Sequence, residues 1–261
     1  MTEQRRSAIV TGAAQGIGLA TAHRLAAQGV DLCLVDNNAE ALAQAARAVA
    51  TNEVQVIHRA ADVTKRSDVE GFVGAARETY GRVDALANIA GGAGPRNLHQ
   101  IDEFEDDDWD LVIALNLRST FLACRAVMPI MRAQNYGRIV NMSSSVARGR
   151  TGPVGTAGGR LAYAAAKAGI LGLTTQLAKD VGEFGITVNA VMPWLTLSAP
   201  GTRIRTKFEA LEPETRDRIL GLSPMKRPAE AEEVAATIAF LASEEAAYVS
   251  GVGLPVDGAY L

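Results

Sequence analysis

The sequence has two cysteines, three histidines and no surplus of basic residues, and each scarcity closes off a class of function. Cys33 and Cys124 sit inside apolar segments without metal-ligand spacing, so they read as reduced core thiols. His23, His58 and His99 are scattered, so no metal site is expected and metal-dependent alcohol dehydrogenation is disfavoured. Without a strand-turn-helix nucleophile elbow or a histidine partner, a serine hydrolase is disfavoured too. Lys and Arg number 26 against 29 Asp and Glu, a net charge of -3, which leaves no excess to neutralise phosphates and argues against nucleic acid as partner. No apolar run approaches bilayer-spanning length, and polar Met1–Arg6 leads straight into an apolar strand. Neither a membrane partner nor a signal peptide is expected, and the expected compartment is the cytoplasm. The acidic run from Asp102 to Asp108 precedes a helix and reads as a cap that complements its dipole.

What the chain does contain is an ordinary globular composition, 48% hydrophobic and 21% charged over 261 residues. Short apolar runs alternate with longer amphipathic stretches, the pattern of βαβ units and a parallel sheet. Strands are predicted at Ser7–Thr11, Asp31–Val35, Val54–Arg59, Val83–Ile89, Arg138–Met142, Ile186–Val191 and Val252–Val256. Helices are predicted at Ile17–Gln28, Ala39–Ala50, Ser67–Tyr80, Asp107–Ala133, Leu161–Glu183 and Ala229–Ser243, with Gly29, Gly81, Gly137 and Gly185 as left-handed C-caps. No linker or repeat divides the chain, so one domain is expected over residues 1–261. Loop insertions facing a substrate are expected at about 147–160 and 195–228, beyond carboxyl ends of strands.

Thr11-Gly12-Ala13-Ala14-Gln15-Gly16-Ile17-Gly18 follows the first strand and opens a helix. Such a turn presents backbone amides and a helix N-terminus to a pyrophosphate, which makes Gly12, Gln15, Gly16, Ile17 and Gly18 candidate dinucleotide contacts. Asp36 ends the next strand, where a carboxylate accepts from both ribose hydroxyls and repels a 2′-phosphate; NAD is the expected cofactor. Asp62 and Val63 stand where side chain and backbone reach the adenine, with helix capping the alternative for Asp62. Asn88-Ile89-Ala90-Gly91-Gly92 closes the fourth strand with small residues, and Asn88, Ala90 and Gly91 are candidate cofactor contacts.

Tyr163-Ala164-Ala165-Ala166-Lys167 places a phenol and an ammonium one turn apart on one helix face. Company lifts this pair above an ordinary surface pairing: Ser143, Ser144 and Ser145 end the fifth strand, and Asn116 lies inside an amphipathic helix. In this order, with Gly137-Arg138-Ile139-Val140-Asn141 and Asn189-Ala190-Val191-Met192-Pro193, the motifs span essentially the whole chain. The sequence resembles the short-chain dehydrogenase/reductase family. The resemblance implies an α/β fold, a doubly wound (Rossmann) seven-stranded parallel sheet with helices on both faces. It also implies a nicotinamide cofactor, a dimer or tetramer, and an Asn-Ser-Tyr-Lys tetrad carried here by Asn116, Ser144, Tyr163 and Lys167, with Ser145 the fallback serine. Two positions depart from the family pattern: Ile89 replaces an asparagine, and Trp194 follows Pro193 where glycine is usual. Thr196 is the candidate contact to the nicotinamide carboxamide.

The expected activity is hydride transfer between a secondary alcohol and a nicotinamide cofactor, with a ketone as the other partner. Tyr163 is the expected base in oxidation and acid in reduction. A phenol titrates near 10, and an ammonium about 4 Å away at an effective dielectric of 20 contributes about 4 kcal/mol toward its anion. Lys167 supplies that charge and reaches the nicotinamide ribose, Ser144 donates to the substrate oxygen, and Asn116 holds a water that relays the proton. The alternatives are an NADP-dependent 3-ketoacyl-type reductase and a non-catalytic dinucleotide-binding sensor. Arg148, Arg150, Arg160, Arg203, Arg205 and Lys207 flank the two insertions, an arrangement that suits an anionic small-molecule substrate.

Overall fold

A computed structural model of the protein describes residues 5–51, 53–95, 98, 100–149 and 160–261, with only the backbone of Arg160 and Arg203. The first half alternates strictly: β1 (Ser7–Thr11), α1 (Gly16–Ala26), β2 (Asp31–Asp36), α2 (Ala39–Val49), β3 (Val56–Ala60), α3 (Arg66–Tyr80) and β4 (Ala85–Asn88). There follow α4 (Asp106–Ile113), a π-helical turn (Ala114–Arg118), α5 (Ser119–Gln134), β5 (Gly137–Met142), α6 (Arg160–Val181) and β6 (Ile186–Pro193). The chain ends through β7 (Thr196–Leu197), α7 (Arg203–Glu209), α8 (Pro213–Leu220), β8 (Ala229–Glu230), α9 (Ala231–Leu241) and β9 (Gly253–Val256). Seven strands form one parallel sheet in the order β3-β2-β1-β4-β5-β6-β9, and β7 pairs with β8 apart from it. The strand order reverses between β1 and β4, so a crevice opens there at the carboxyl ends.

Both faces of the sheet are covered, and so β5 and β6 are buried along their whole length. The pleat sorts alternate residues: Ala8, Val10, Leu32, Leu34 and Val140 pack with α1 and α9, while Ile9, Cys33, Val35, Leu86 and Ile139 pack with α3 and α5. A third apolar cluster stands apart from these two; it joins Trp194, Leu195 and Leu197 to Phe208 of α7 and Ile219 of α8.

Five local expectations change. Gly137 is not a C-cap: Asn135 takes the left-handed position at φ 50, and Gly137 starts β5, where a Cβ would lie 2.5 Å from Met131 Sδ. The fourth strand is shorter than predicted, and the last predicted helix begins with the two residues of β8. The long fifth-strand approach is one helical run broken by a π turn at Asn116. There Asn116 Nδ2 takes the Val112 carbonyl (2.8 Å), and Ser119 and Thr120 hydroxyls take the Leu115 and Asn116 carbonyls (both 2.8 Å). Finally, this run, Asp106–Gln134, is 29 residues with a most apolar window of mean hydropathy 1.5, long and apolar enough by length and composition to cross a membrane. Half of that window is buried inside the fold, and α3 and α6 pack against the run, which accounts for its apolarity. The acidic residues before it act as caps: Glu105 N–H donates to Asp108 Oδ2 at 3.4 Å.

Candidate active site

At the carboxyl ends of β1, β4, β5 and β6 lies a cleft of about 470 Å³. Gly12, Gln15, Gly16, Ile17 and Gly18 line one end, together with Asp36, Asp62, Val63, Ala90 and Gly91. The glycines fit because nothing larger does: a Cβ on Gly12 would come 2.9 Å from Ala90 N, and one on Gly18 would come 2.0 Å from the Gly12 carbonyl oxygen. Asp36 anchors the turn, its Oδ2 accepting from Ala14 N–H (3.2 Å) and its Oδ1 from Asn38 N–H (3.0 Å). Asp62 lines the cleft while its Oδ1 accepts from the Thr64 N–H (3.0 Å) and hydroxyl (2.7 Å). The Thr64 hydroxyl is the main reason its carboxyl is held below the usual range. Its side chain therefore forms a local turn before α3, without capping that helix.

Asn88 ends β4. Its side chain points into the interior and is absent from the cleft lining: Nδ2 donates to Asn141 Oδ1 (2.9 Å), and Asn141 Nδ2 donates to Thr174 Oγ1 (3.0 Å). This buried chain ties β4 and β5 to α6, the helix that carries Tyr163 and Lys167. Thr11, which sequence reasoning passed over, performs the close work at β4: its hydroxyl oxygen accepts from Ile89 N–H (3.0 Å) and Ala90 N–H (3.1 Å). A threonine at the very end of an otherwise apolar buried strand was the available signal.

Tyr163, Lys167, Ser143, Ser144, Thr196 and Trp194 line the other end of the cleft. Lys167 Nζ lies 5.3 Å from the centre of the Tyr163 ring and donates to the Met142 carbonyl (2.7 Å). The three serines separate by their bonds. Ser143 donates its hydroxyl to the Lys167 carbonyl (2.8 Å), and Ser145 is buried off the lining. Ser144 Oγ accepts from Val146 N–H (3.3 Å), an interaction that leaves its own proton for a ligand oxygen. Asn116 is fully buried and off the lining, its amide spanning Gly92 O and Val112 O (both 2.8 Å) as donor and Gly92 N–H (3.1 Å) as acceptor. Both donor hydrogens are thus occupied by backbone. Asn116 Oδ1 and Lys167 Nζ flank one point, lying 2.6 and 3.3 Å from where a Cβ on Gly91 would stand.

Burial lowers the Lys167 amine to about 7, so near neutral pH it does not carry the full ammonium charge that the bare sequence suggests. The sign follows. The unfolded amine titrates at the ordinary 10.5, so between about 7 and 10.5 the unfolded chain holds a proton that the folded chain has lost. This group therefore adds stability as pH rises through that window, and below about 7 the penalty for burying the ammonium is complete. Lys167→Met is expected to reduce the pH slope of the unfolding free energy there by up to about 1.4 kcal/mol per pH unit, read by urea unfolding without cofactor. Parallel slopes for the two proteins would contradict a buried, depressed amine.

Among the basic residues flanking the insertions, Arg148, Arg205 and Lys207 have described side chains, and these three are absent from the cleft lining. Arg205 pairs with Glu230 (3.1 Å) and Glu209 (3.6 Å) and donates to the Ser198 carbonyl. Arg148 and Lys207 are exposed and off the lining, Arg150 lies outside the described residues, and the side chains of Arg160 and Arg203 are likewise outside them. Lys167 is the one cation among the described lining residues.

A family model described as Enoyl-(Acyl carrier protein) reductase matches residues 12–260. The chain is 36% identical to "Levodione reductase" of Leifsonia aquatica, over 97% of this chain and 93% of that protein. It is 39% identical to "2-(R)-hydroxypropyl-CoM dehydrogenase" of Xanthobacter autotrophicus (strain ATCC BAA-1158 / Py2), over 98% of each. Among solved structures, that of NAD+-bound xylitol dehydrogenase superposes with a TM-score of 0.86 at 31% identity, covering 98% of this chain and 99% of the other.

Proposed function

The chain belongs to the short-chain dehydrogenase/reductase family, an oxidoreductase family acting between alcohols and ketones, and from that premise we propose that it is an NAD-dependent dehydrogenase of secondary alcohols. The observation that carries this reading is one cleft holding a glycine cradle and Asp36 at one end and Tyr163, Lys167 and Ser144 at the other. Bound there, a nicotinamide supplies the acceptor or donor of the hydride. Gly12, Gln15, Gly16, Ile17 and Gly18 hold its pyrophosphate, Asp36 its adenosine ribose, Asp62 and Val63 the adenine, and Ala90, Gly91 and Thr196 the nicotinamide half. The Tyr163 phenol takes the proton from the carbinol oxygen in oxidation and returns it in reduction. Ser144 donates to the same oxygen as negative charge gathers on it. Lys167 holds Tyr163 and the ribose in register. Asn116 is a positioning residue that locks Gly92 to the π turn, and Asn88 is another, fixing the strand ends. Two buried thiols, pushed up to about 12 by burial, suit a reducing compartment, and we place the protein in the cytoplasm.

Cofactor choice rests on Asp36 and on the absence of any cation near it in the described lining. The expected result is a kcat/KM at least about tenfold higher with NAD than with NADP, one repulsive contact of about 1.4 kcal/mol, narrowed in Asp36→Asn. The readout is initial rates of both cofactors against a panel of secondary alcohols; equal or better kinetics with NADP contradict the assignment. Assembly as a dimer or tetramer is proposed through α4, α5 and α6. These helices leave Trp109, Leu111, Phe121 and Leu161 exposed, an apolar surface suited to a second copy. A monomer in sedimentation at micromolar concentration contradicts it.

A further inference from the structure

Trp194 stands between two cavities. On one side it lines the cleft beside Tyr163, Ser144 and Thr196; on the other it borders a second cavity of about 340 Å³, walled by Met225, Arg227 and Pro255–Ala259. Its ring is braced from outside the cleft. Tyr260 stacks on it with centroids 5.2 Å apart and planes 16° from parallel. The segment carrying Tyr260 is itself pinned: the Asp257 carboxylate accepts from Ala259 N–H and Leu261 N–H (both 3.0 Å), and Ser223 donates to the Gly258 carbonyl (2.8 Å). The same two rings belong to the apolar cluster that holds Phe208 of α7 and Ile219 of α8, which stands apart from the two sheet cores.

The indole nitrogen is buried without a hydrogen-bond partner among the described residues. One face of the ring is held against Tyr260.

We propose that Trp194, braced by Tyr260, is the wall that sets the size of substrate the cleft admits, and that the segment 257–261 positions it. This rests on the reading of the cleft as a dehydrogenase site. A broad flat ring in the same cleft lining as Tyr163 and Ser144 limits the bulk of the two substituents on the carbinol carbon without touching the adenosine end. Loss of the indole opens the second cavity to those substituents; loss of Tyr260 lets the indole tilt.

The test uses a series of secondary alcohols of rising bulk, from short alkyl to aryl. Trp194→Ala is expected to raise kcat/KM for the bulkiest relative to the smallest by about tenfold or more, equivalent to about 1.4 kcal/mol. Tyr260→Ala is expected to shift the ratio in the same direction by about threefold, with the NAD dissociation constant within twofold, while Tyr260→Phe keeps the wild-type ratio. A second readout is independent of turnover. With Trp109→Phe, Trp194 is the remaining tryptophan of the two, and Tyr260→Ala is expected to red-shift its emission as water reaches the ring. An unchanged size ratio in Tyr260→Ala, with or without the shift, overturns the proposal. So does a fall in NAD affinity that lowers every substrate alike. If Trp194→Ala does not fold, the Tyr260 pair decides. A wild-type protein that turns over none of the series overturns the dehydrogenase reading and the specificity claim with it, and the emission shift then reports on the stack alone.

Discussion

Tyr163→Phe is expected to lower kcat by about 10²–10⁴-fold while leaving the NAD dissociation constant within about threefold of the wild type. The phenol oxygen is needed where the carbinol proton leaves, whereas the ring, which lies under Lys167 Nζ at 5.3 Å, packs as well without it. An interaction made only in the transition state shows itself as equal losses in kcat and kcat/KM. Fluorescence titration with NADH and initial-rate kinetics separate the two quantities. More than a few per cent of residual activity means that the proton travels elsewhere. A parallel collapse of cofactor affinity means that the variant is misassembled and the phenol has not been tested in isolation, in which case crystallographic or spectroscopic integrity of Lys167 becomes the control.

Gly91→Ala is expected to reduce kcat by about 10²-fold although it adds a single methyl group. That methyl would lie 2.6 Å from Asn116 Oδ1 and 3.3 Å from Lys167 Nζ. Asn116 has nowhere to go, since its amide is bonded to Gly92 and Val112 inside the helical run. Either the β4 end moves toward the cleft or Lys167 leaves the Met142 carbonyl, and both displace the amine from Tyr163. Overpacking of this kind also lowers stability by about 1–3 kcal/mol. The discriminating comparison is Gly92→Ala, where an added Cβ meets only a Leu115 methyl at an ordinary 3.7 Å. Equal activity losses in the two variants would show that bulk at the strand end matters and that the Asn116–Lys167 spot does not.

Much of this was legible in the chain because the decisive signals are local. Ser7–Thr11 was bounded to the residue, since an apolar run stops where a glycine turn begins. Tyr163 and Lys167 meet because residues four apart on one helix share a face. What escaped the sequence depends on partners far away. The inward turn of the Asn88 side chain depends on Asn141 of β5 and Thr174 of α6. The π turn at Asn116 needs the β4 end beside it to hold the amide. The depressed amine of Lys167 is a burial effect, and burial is a property of the fold. The ion pairs of Arg205 with Glu209 and Glu230 likewise depend on the fold. Trp194 stood out as a break in the family's Pro-Gly pattern, but its brace, Tyr260, lies 66 positions later and nothing in the intervening sequence links the two.

The most direct measurement is the initial rate of NAD reduction by a panel of secondary alcohols, with wild type and Tyr163→Phe assayed side by side and NADP run in parallel. The expected result is turnover by the wild type with at least one alcohol, a preference for NAD of about tenfold or more, and loss of that turnover in the variant with NAD binding retained. Binding of NAD without turnover of any alcohol or ketone by the wild type, or turnover that survives in Tyr163→Phe, would contradict it.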